Sequence, residues 1–567
     1  MTLRPARHLP HQPPRVWILP GALIIVAHLL SGTPARASAA AAHVQRLAEQ
    51  TAPAYPSDLT PFGGILFFAA DDGHGGRALW RTDGTAAGTT LVKAGEPGAV
   101  VENLTDVNGV LFFTEDLQIR FPNPSAREPA PIDAEPGLGT QTVTLWKSDG
   151  TGAGTVRLRE FDSMLTWYTA GVLTAGGTTL FLVVDDGVHG HELWASDGTA
   201  DGTVLIKDIH PGPGDGVISP YNFVSINGVL FFDGDDGRGG TGLWKSDGTE
   251  KGTVLVKSPP PAGFAYDLIA LNGGLYFAVN DYDMRQFQLW RSDGTTDGTS
   301  LVQSISSGVN VTGVGQLTNV EGTVFFVVPD NGGPGGALWR SDGTTAGTAV
   351  ARHFGNTPAS GLPPGEIVAA GGTLFFVANC HFLTGSYLWK SDGTADGTVL
   401  VSCDGSNGVS YISNLTAFDH GTVFYSVTDN AGGALWRSDG TGNGTIPVHR
   451  FVAPGPANLQ PVNHTLFFVA DDGQSGQELW KTDGTEAGTM LVKDINTPVP
   501  ALCVGDCNGN GVITVDEIIT MMNEVLGNVP LSACLDGNAS NGGRITVGDI
   551  LSAVNNALSG CHGAPIR

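Results

Sequence analysis

Consecutive apolar residues, rather than alternating ones, mark the strands of this chain. Runs such as Leu66-Phe67-Phe68 and Leu466-Phe467-Phe468 recur along it, and a strand apolar on neighbouring positions is buried on both faces. In eight of nine cases such a run lies 11 to 13 residues before a Leu-Trp pair, and a strand like Val204-Leu205-Ile206-Lys207 follows. Ahead of the Phe run comes a strand ending in a tight turn such as Val107-Asn108-Gly109. Asn-Gly at Asn108, Asn227 and Asn272 is the signal of a two-residue hairpin. The pattern predicts units of four short antiparallel strands in about 48 residues, the size of one β-propeller blade.

The punctuation repeats as strictly as the strands. The string L-W-x-[S/T]-D-G-T-x-x-G-T occurs nine times, with its tryptophan at Trp80, Trp146, Trp194, Trp244, Trp290, Trp339, Trp389, Trp436 and Trp480. Successive spacings are 66, 48, 50, 46, 49, 50, 47 and 44, the first lengthened by an insertion around Leu117 to Gly139. Over about Ser57 to Ile495 the string resembles the bacterial ELWxxDGT repeat family. That resemblance implies an exported repeat protein and no known reaction. The expected fold is all-β, a propeller of eight or nine four-stranded blades followed by a small α-helical calcium-binding domain. A β-solenoid is the competing architecture, disfavoured because one coil rarely needs four turn signals.

Residues kept in every unit serve every unit, so the nine motif aspartates, Asp83 through Asp483, read as turn formers that bond their own backbone. The repeated tryptophans read as packing between blades, and the Lys or Arg after Trp in eight units as a solvated or snorkelling side chain. The loops Asp71-Asp72-Gly73, Asp185-Asp186-Gly187, Asp235-Asp236-Gly237 and Asp471-Asp472-Gly473 read as turn chemistry, none offering a full oxygen shell for calcium. His189-Gly190-His191 is assigned no metal. In a meander, the Asp-Gly-Thr and Asn-Gly turns share one end; the variable loops share the other, where a ligand such as a glycan is expected. Cys380 and Cys403 fall at that end of one unit, and a disulfide between them requires their Cα atoms to come within ~7 Å.

Composition narrows the class. Hydrophobic residues make up 41% of 567, enough for substantial cores, and 81 glycines point to many turns. A net charge of −26 with no basic stripe argues against nucleic acid. Residues 1–37 have the order of an export signal: Arg4, Arg7 and Arg15, an apolar run from Val16 to Leu30, and small residues that place cleavage near Ala37 or Ala39. The run is too short to span a bilayer, so the mature protein is expected outside the cytoplasm, secreted or at the cell surface, without a membrane span.

After Pro498 and Pro500 the repeats stop. The segment Asp506 to Glu517 spaces oxygen donors as a calcium loop does: Asp506, Asn508 and Asn510 by side chain, Val512 by its carbonyl, Thr514 directly or through water, Glu517 by two oxygens. A second, longer loop offers Asp536, Asn538, Thr546 and Asp549. Helices are expected at Ile518 to Leu526 and Ile550 to Leu558. Two loop-plus-helix units without entering helices resemble a dockerin domain over Cys503 to Cys561, which implies calcium-dependent docking to a cohesin-like or other surface protein. Glu517 at position 12, the long second loop and Cys503, Cys507, Cys534 and Cys561 depart from that pattern, and the four cysteines allow three pairings.

The expected organisation is a signal peptide at 1–37, a linker at 38–56, the propeller at 57–496, a linker at 497–502, the dockerin-like domain at 503–561 and a tail at 562–567. With no local catalytic signature, the expected function is non-catalytic binding or adhesion, not an enzyme. The alternative is a glycan-active propeller enzyme using carboxylates such as Glu115, Asp116, Asp133 and Glu135 beside the insertion.

Overall fold

The chain is represented by a computed structural model, described over residues 53–496 and 515–525 and at 550, 553 and 554. Within the first range it leaves out 72, 74–75, 119–139, 165–171, 220–221, 260–263, 282–285, 307–314, 330–335, 355–364, 379–385 and 402–410. The repeats fold as nine four-stranded antiparallel sheets, each a meander of four consecutive strands. Blade 1 is β1 (Ser57–Phe62), β2 (Ile65–Asp71), β3 (Arg77–Thr82) and β4 (Thr90–Lys93). Blade 9 runs from Ala457 to Lys493 in the same order. No strand is exchanged between blades. First strands neighbour one another in sequence order around the axis, and that of blade 9 neighbours β1, so all nine units sit in the ring.

The joint between blades explains the motif. Gly84 of the Asp-Gly-Thr turn has φ 88°, and a Cβ there would stand 3.2 Å from the ring tip of Phe467 in blade 9. Gly150 meets Phe67 of blade 1 in the same way, and Gly294 meets Phe231 of blade 4. Each turn thus receives the first aromatic of the preceding blade's Phe strand, and blade 1 receives blade 9's. The second motif glycine answers to the aspartate: a Cβ on Gly88 would fall 2.0 Å from the Asp83 carboxylate. That carboxylate accepts from the Thr85 N–H at 2.8 Å and its hydroxyl at 2.7 Å, the local turn bond expected of it.

The cation after tryptophan is not merely solvated. Arg81, Lys147, Lys245 and Arg291 each donate to the carbonyl of the motif glycine in the next blade, Lys147 to Gly198 at 2.6 Å and Lys245 to Gly294 at 2.7 Å. This corrects the sequence reading, whose pattern could not show that the neighbouring turn presents a carbonyl there. A second cation, in the fourth strand, lies over the next tryptophan: Lys93 is 4.4 Å from the Trp146 ring and Arg159 4.7 Å from that of Trp194. The core lies between blades, where Leu66, Phe68 and Trp80 of blade 1 pack with Val462, Phe467 and Leu479 of blade 9.

Asn108 and Gly109 both have positive φ, 51° and 82°, as a two-residue hairpin of the Asn-Gly type requires. That turn joins the first two strands and the Asp-Gly-Thr turn the last two, so both lie at one end of the ring. Beyond the propeller a helix covers Val515–Val525, and Met521 packs on Ala553 with Ile518 and Ile550 alongside. The cysteines, and the insertion beyond Gln118, lie outside the described residues. Among the described residues no helix is long and apolar enough to cross a membrane.

Candidate functional site

The innermost strands build an open cavity of about 540 Å³ from four consecutive blades, 6 to 9. Its polar lining comes from Gln316, Thr318, Glu366, Asn414, Thr416 and Asn458, with leucines between them. The local reason is a bulge repeated in the first strands: the register shifts between Gly315 and Thr318, between Ser413 and Thr416, and between Ala457 and Gln460. At each bulge one residue takes left-handed backbone, with φ 58° at Gln316, 58° at Asn414 and 52° at Asn458, a conformation that suits the two asparagines.

Carboxylates stitch these bulges together around the axis. Asp58 Oδ1 accepts the N–H of Asn103 in the next blade at 3.1 Å, Asp267 accepts that of Gln316 at 2.7 Å, and Glu366 accepts that of Leu415 at 2.6 Å. Burial raises the Asp267 carboxyl above the usual range. The result is a mouth rich in amides and hydroxyls whose donors largely serve the ring itself: the Thr318 and Thr416 hydroxyls donate to the Gln316 and Asn414 carbonyls at 3.0 Å each, and the Asn414 amide to Ser413 and Pro456, so that oxygens are its main offer to an extended polar chain. Sequence reasoning missed it, although a polar residue followed by leucine, as in Asp58-Leu59, Asn103-Leu104 and Asn414-Leu415, was its signal.

Of the predicted calcium ligands, only Glu517 lies among the described residues, buried near the start of the helix. Asp506, Asn508, Asn510, Val512, Thr514, Asp536, Asn538, Thr546 and Asp549 lie outside them, as do Asp133 and Glu135. Glu115 is buried and paired with Lys93 at 2.6 Å, a link from blade 2 to blade 1. Asp116 is also buried and hydrogen-bonded to Glu102, whose carboxyl burial pushes up. His189 and His191 turn to different partners, Asp186 at 2.8 Å and Asp215 at 3.0 Å. In the four Asp-Asp-Gly loops the first aspartate accepts the glycine N–H, as in the Asp185 to Gly187 bond of 2.8 Å. Burial also pushes the carboxyls of Glu192 up to about 7, and of Glu478 and Asp233 up to about 8.

No family model matches the chain, and no curated protein matches it. Solved structures do. A dipeptidyl peptidase 4 from Porphyromonas gingivalis is 11% identical with a TM-score of 0.46, covering 74% of this chain and 65% of its own. Oligopeptidase B from Leishmania major is 10% identical with a TM-score of 0.42, covering 75% and 54%. The β-propeller domain of the Trilobed protease from Pyrococcus furiosus, described as having an open velcro topology, is 9% identical with a TM-score of 0.35, covering 71% and 98%. Against the whole enzymes, two structures of a puromycin hydrolase among them, the chain spans about half to two thirds of their length. These structures belong to enzymes, and on that finding the expectation of a non-catalytic adhesion protein, and of no enzyme, is withdrawn. At such identities and TM-scores the likeness assigns this chain no activity.

Proposed function

We propose that this chain is an exported, peptide-handling hydrolase that receives an extended polypeptide at the axial mouth. The observation that carries this reading is the lining of that mouth. Gln316, Asn414 and Asn458 present amides, Thr318 and Thr416 hydroxyls, and Glu366 a carboxylate, at a cavity open to solvent. An extended peptide carries N–H groups that the oxygens of such a lining accept without reading a particular side chain. Leu317, Ile367, Leu415 and Leu459 supply apolar contact between the polar groups.

Hydrolysis needs one group to take a proton and another to give one. Glu366 is the one carboxylate in the lining and the candidate for the proton-taking role. The C-terminal segment, resembling a dockerin, binds calcium through Asp506, Asn508, Asn510, Val512, Thr514 and Glu517, and through Asp536, Asn538, Thr546 and Asp549. It docks the propeller to a cohesin-like or other surface protein.

Mass spectrometry of casein-derived peptides incubated with the full chain tests the reading. Cleavage is expected, with KM raised by Asn414→Ala and turnover lost in Glu366→Gln. Peptides left intact and unbound by the unsubstituted chain would overturn it.

A further inference from the structure

Two blades depart from the repeat in the same two places. Two residues before tryptophan, blades 3 and 9 have Glu192 and Glu478, where no other blade has an acid. Fourteen residues after it they have Asp208 and Asp494, where Glu160 of blade 2 is the one other acid. The Glu–Asp pair therefore occurs together twice and in no other blade.

Both pairs sit at a joint between blades, in matching surroundings. In blade 3, Glu192 accepts the N–H of His210 at 2.8 Å, two residues past Asp208. The connector to blade 4 crosses beside it: Gly216 donates to the His191 carbonyl at 3.1 Å, and its own carbonyl accepts from Asp235 at 3.0 Å. In blade 9, Glu478 accepts the N–H of Ile495 at 3.3 Å, one residue past Asp494, and that of Ala54 at 3.1 Å. Ala54 donates to the Gln477 carbonyl at 3.2 Å, and its carbonyl accepts from Asp71 at 2.8 Å. The segment ahead of blade 1 thus takes the place that a covalent connector takes between blades 3 and 4. The four Asp-Asp-Gly sequences fall in blades 3, 4, 9 and 1, the blades that form these two joints.

Like charges face one another in both pairs. Asp208 and Asp215 act on Glu192, and Asp494 and Asp472 on Glu478, each as a like charge. Glu192 is fully buried, and the N–H groups of His210 and Ile209 both face its carboxyl, yet no hydrogen bond of full geometry reaches its Oε2, and none reaches the buried Oδ1 of Asp208. At the second joint the buried Asn496 has an Oδ1 in the same state. Among the described residues no three His, Cys, Asp or Glu side chains converge in a metal-holding group. Any ion here therefore takes two carboxylates and completes its shell with amide and main-chain oxygens, a donor set that suits calcium, a hard cation tolerant of irregular geometry.

We propose that the joint between blades 3 and 4 and the joint between blades 9 and 1 each hold a calcium ion. Glu192 and Asp208 bind it at the first, and Glu478, Asp494 and Asn496 at the second. The second ion holds together the one joint of the ring that the chain does not cross.

The test uses the full chain carrying Asp506→Ala, Glu517→Ala, Asp536→Ala and Asp549→Ala, so that the C-terminal loops do not contribute. Calorimetric titration with calcium chloride is expected to show two ions per chain. Glu192→Gln with Asp208→Asn removes one, and Glu478→Gln with Asp494→Asn the other, while circular dichroism confirms that each variant keeps its β-structure. The melting temperature of the background chain rises by several degrees in calcium over chelator. A background chain that binds no calcium overturns the proposal, as does binding that both double substitutions leave intact. A melting temperature that follows pH and ignores calcium also overturns it, in favour of a shared proton.

Discussion

The ring tip of Phe467 in the last blade lies 3.2 Å from the place a Cβ on Gly84 would take in the first. The same fit between Phe231 and Gly294, at 3.1 Å, sits in the middle of the chain. Gly294→Ala therefore meets two penalties. Left-handed backbone costs an L-residue about 1–2 kcal/mol, and crowding the aromatic adds about 1–3 kcal/mol. Gly273, with φ 78° and nothing within 4 Å, meets only the first. Denaturant melts of Gly294→Ala and Gly273→Ala are expected to separate by that difference.

Lys245 reaches the Gly294 carbonyl at 2.7 Å across the next joint. Lys245→Met keeps much of the aliphatic stem and loses the bond, at about 0.5–1.5 kcal/mol. A smaller loss is expected from Lys251→Met, in an exposed turn. Thermal unfolding of the two variants side by side decides it.

Asp58 combines left-handed backbone, φ 52°, with acceptance of the Asn103 N–H. Asp58→Asn keeps both an acceptor and a side chain tolerant of that backbone, whereas Asp58→Ala keeps neither. Leaving the N–H without its partner costs about 1–3 kcal/mol, so the alanine variant is expected to unfold at clearly lower denaturant concentration than the asparagine variant.

Stability should fall away on both sides of a mildly acidic optimum when calcium is chelated. The nine turn aspartates, Asp83 among them, are held below the usual carboxylate range by the hydroxyl and N–H of the following threonine. Their contribution is present above the unfolded value of about 3.9 and is lost as pH falls through the folded one. Glu192 and Glu478 behave oppositely. With folded values of about 7 and about 8, the native state binds more protons than the unfolded one from about pH 4.5 upwards, so stability declines as pH rises through that window. Melting temperatures from pH 3 to 9 are expected to show the optimum, and Glu192→Gln with Glu478→Gln to make the alkaline limb shallower, with Asp233 at about 8 supplying part of what remains.

At the far end of the chain, Asp506→Ala with Glu517→Ala is expected to reduce calcium uptake by the C-terminal segment and release any docked partner. Pull-down from a cell-surface extract, with calcium or chelator, reads that loss.

Much of this fold was legible because its constraints are local and repeated. The Asp83 to Thr85 turn and the Asn108-Gly109 hairpin are each written within a few residues, and nine copies expose the period. The glycine-to-aromatic fit was not legible, since Gly84 and Phe467 stand at opposite ends of the sequence and meet only when the ring closes. The role of Lys147 was hidden for a similar reason: its partner is a main-chain carbonyl, which leaves no residue type to notice. The mouth lined by Asn414 and Asn458 depends on strand bulges, and a polar residue before leucine does not reveal a bulge until the pairing partner is known. Glu192 and Glu478 were visible, but beside nine tryptophans two glutamates looked like ordinary variation.

Because every strand stays inside its own repeat, a gene that copies or drops one repeat delivers or removes a complete wedge with its aromatic and its glycine socket in place. The number of blades is then a heritable variable that changes by whole units, with no half-built sheet as an intermediate. Diversity can gather in the connectors of each copy while the joints stay interchangeable.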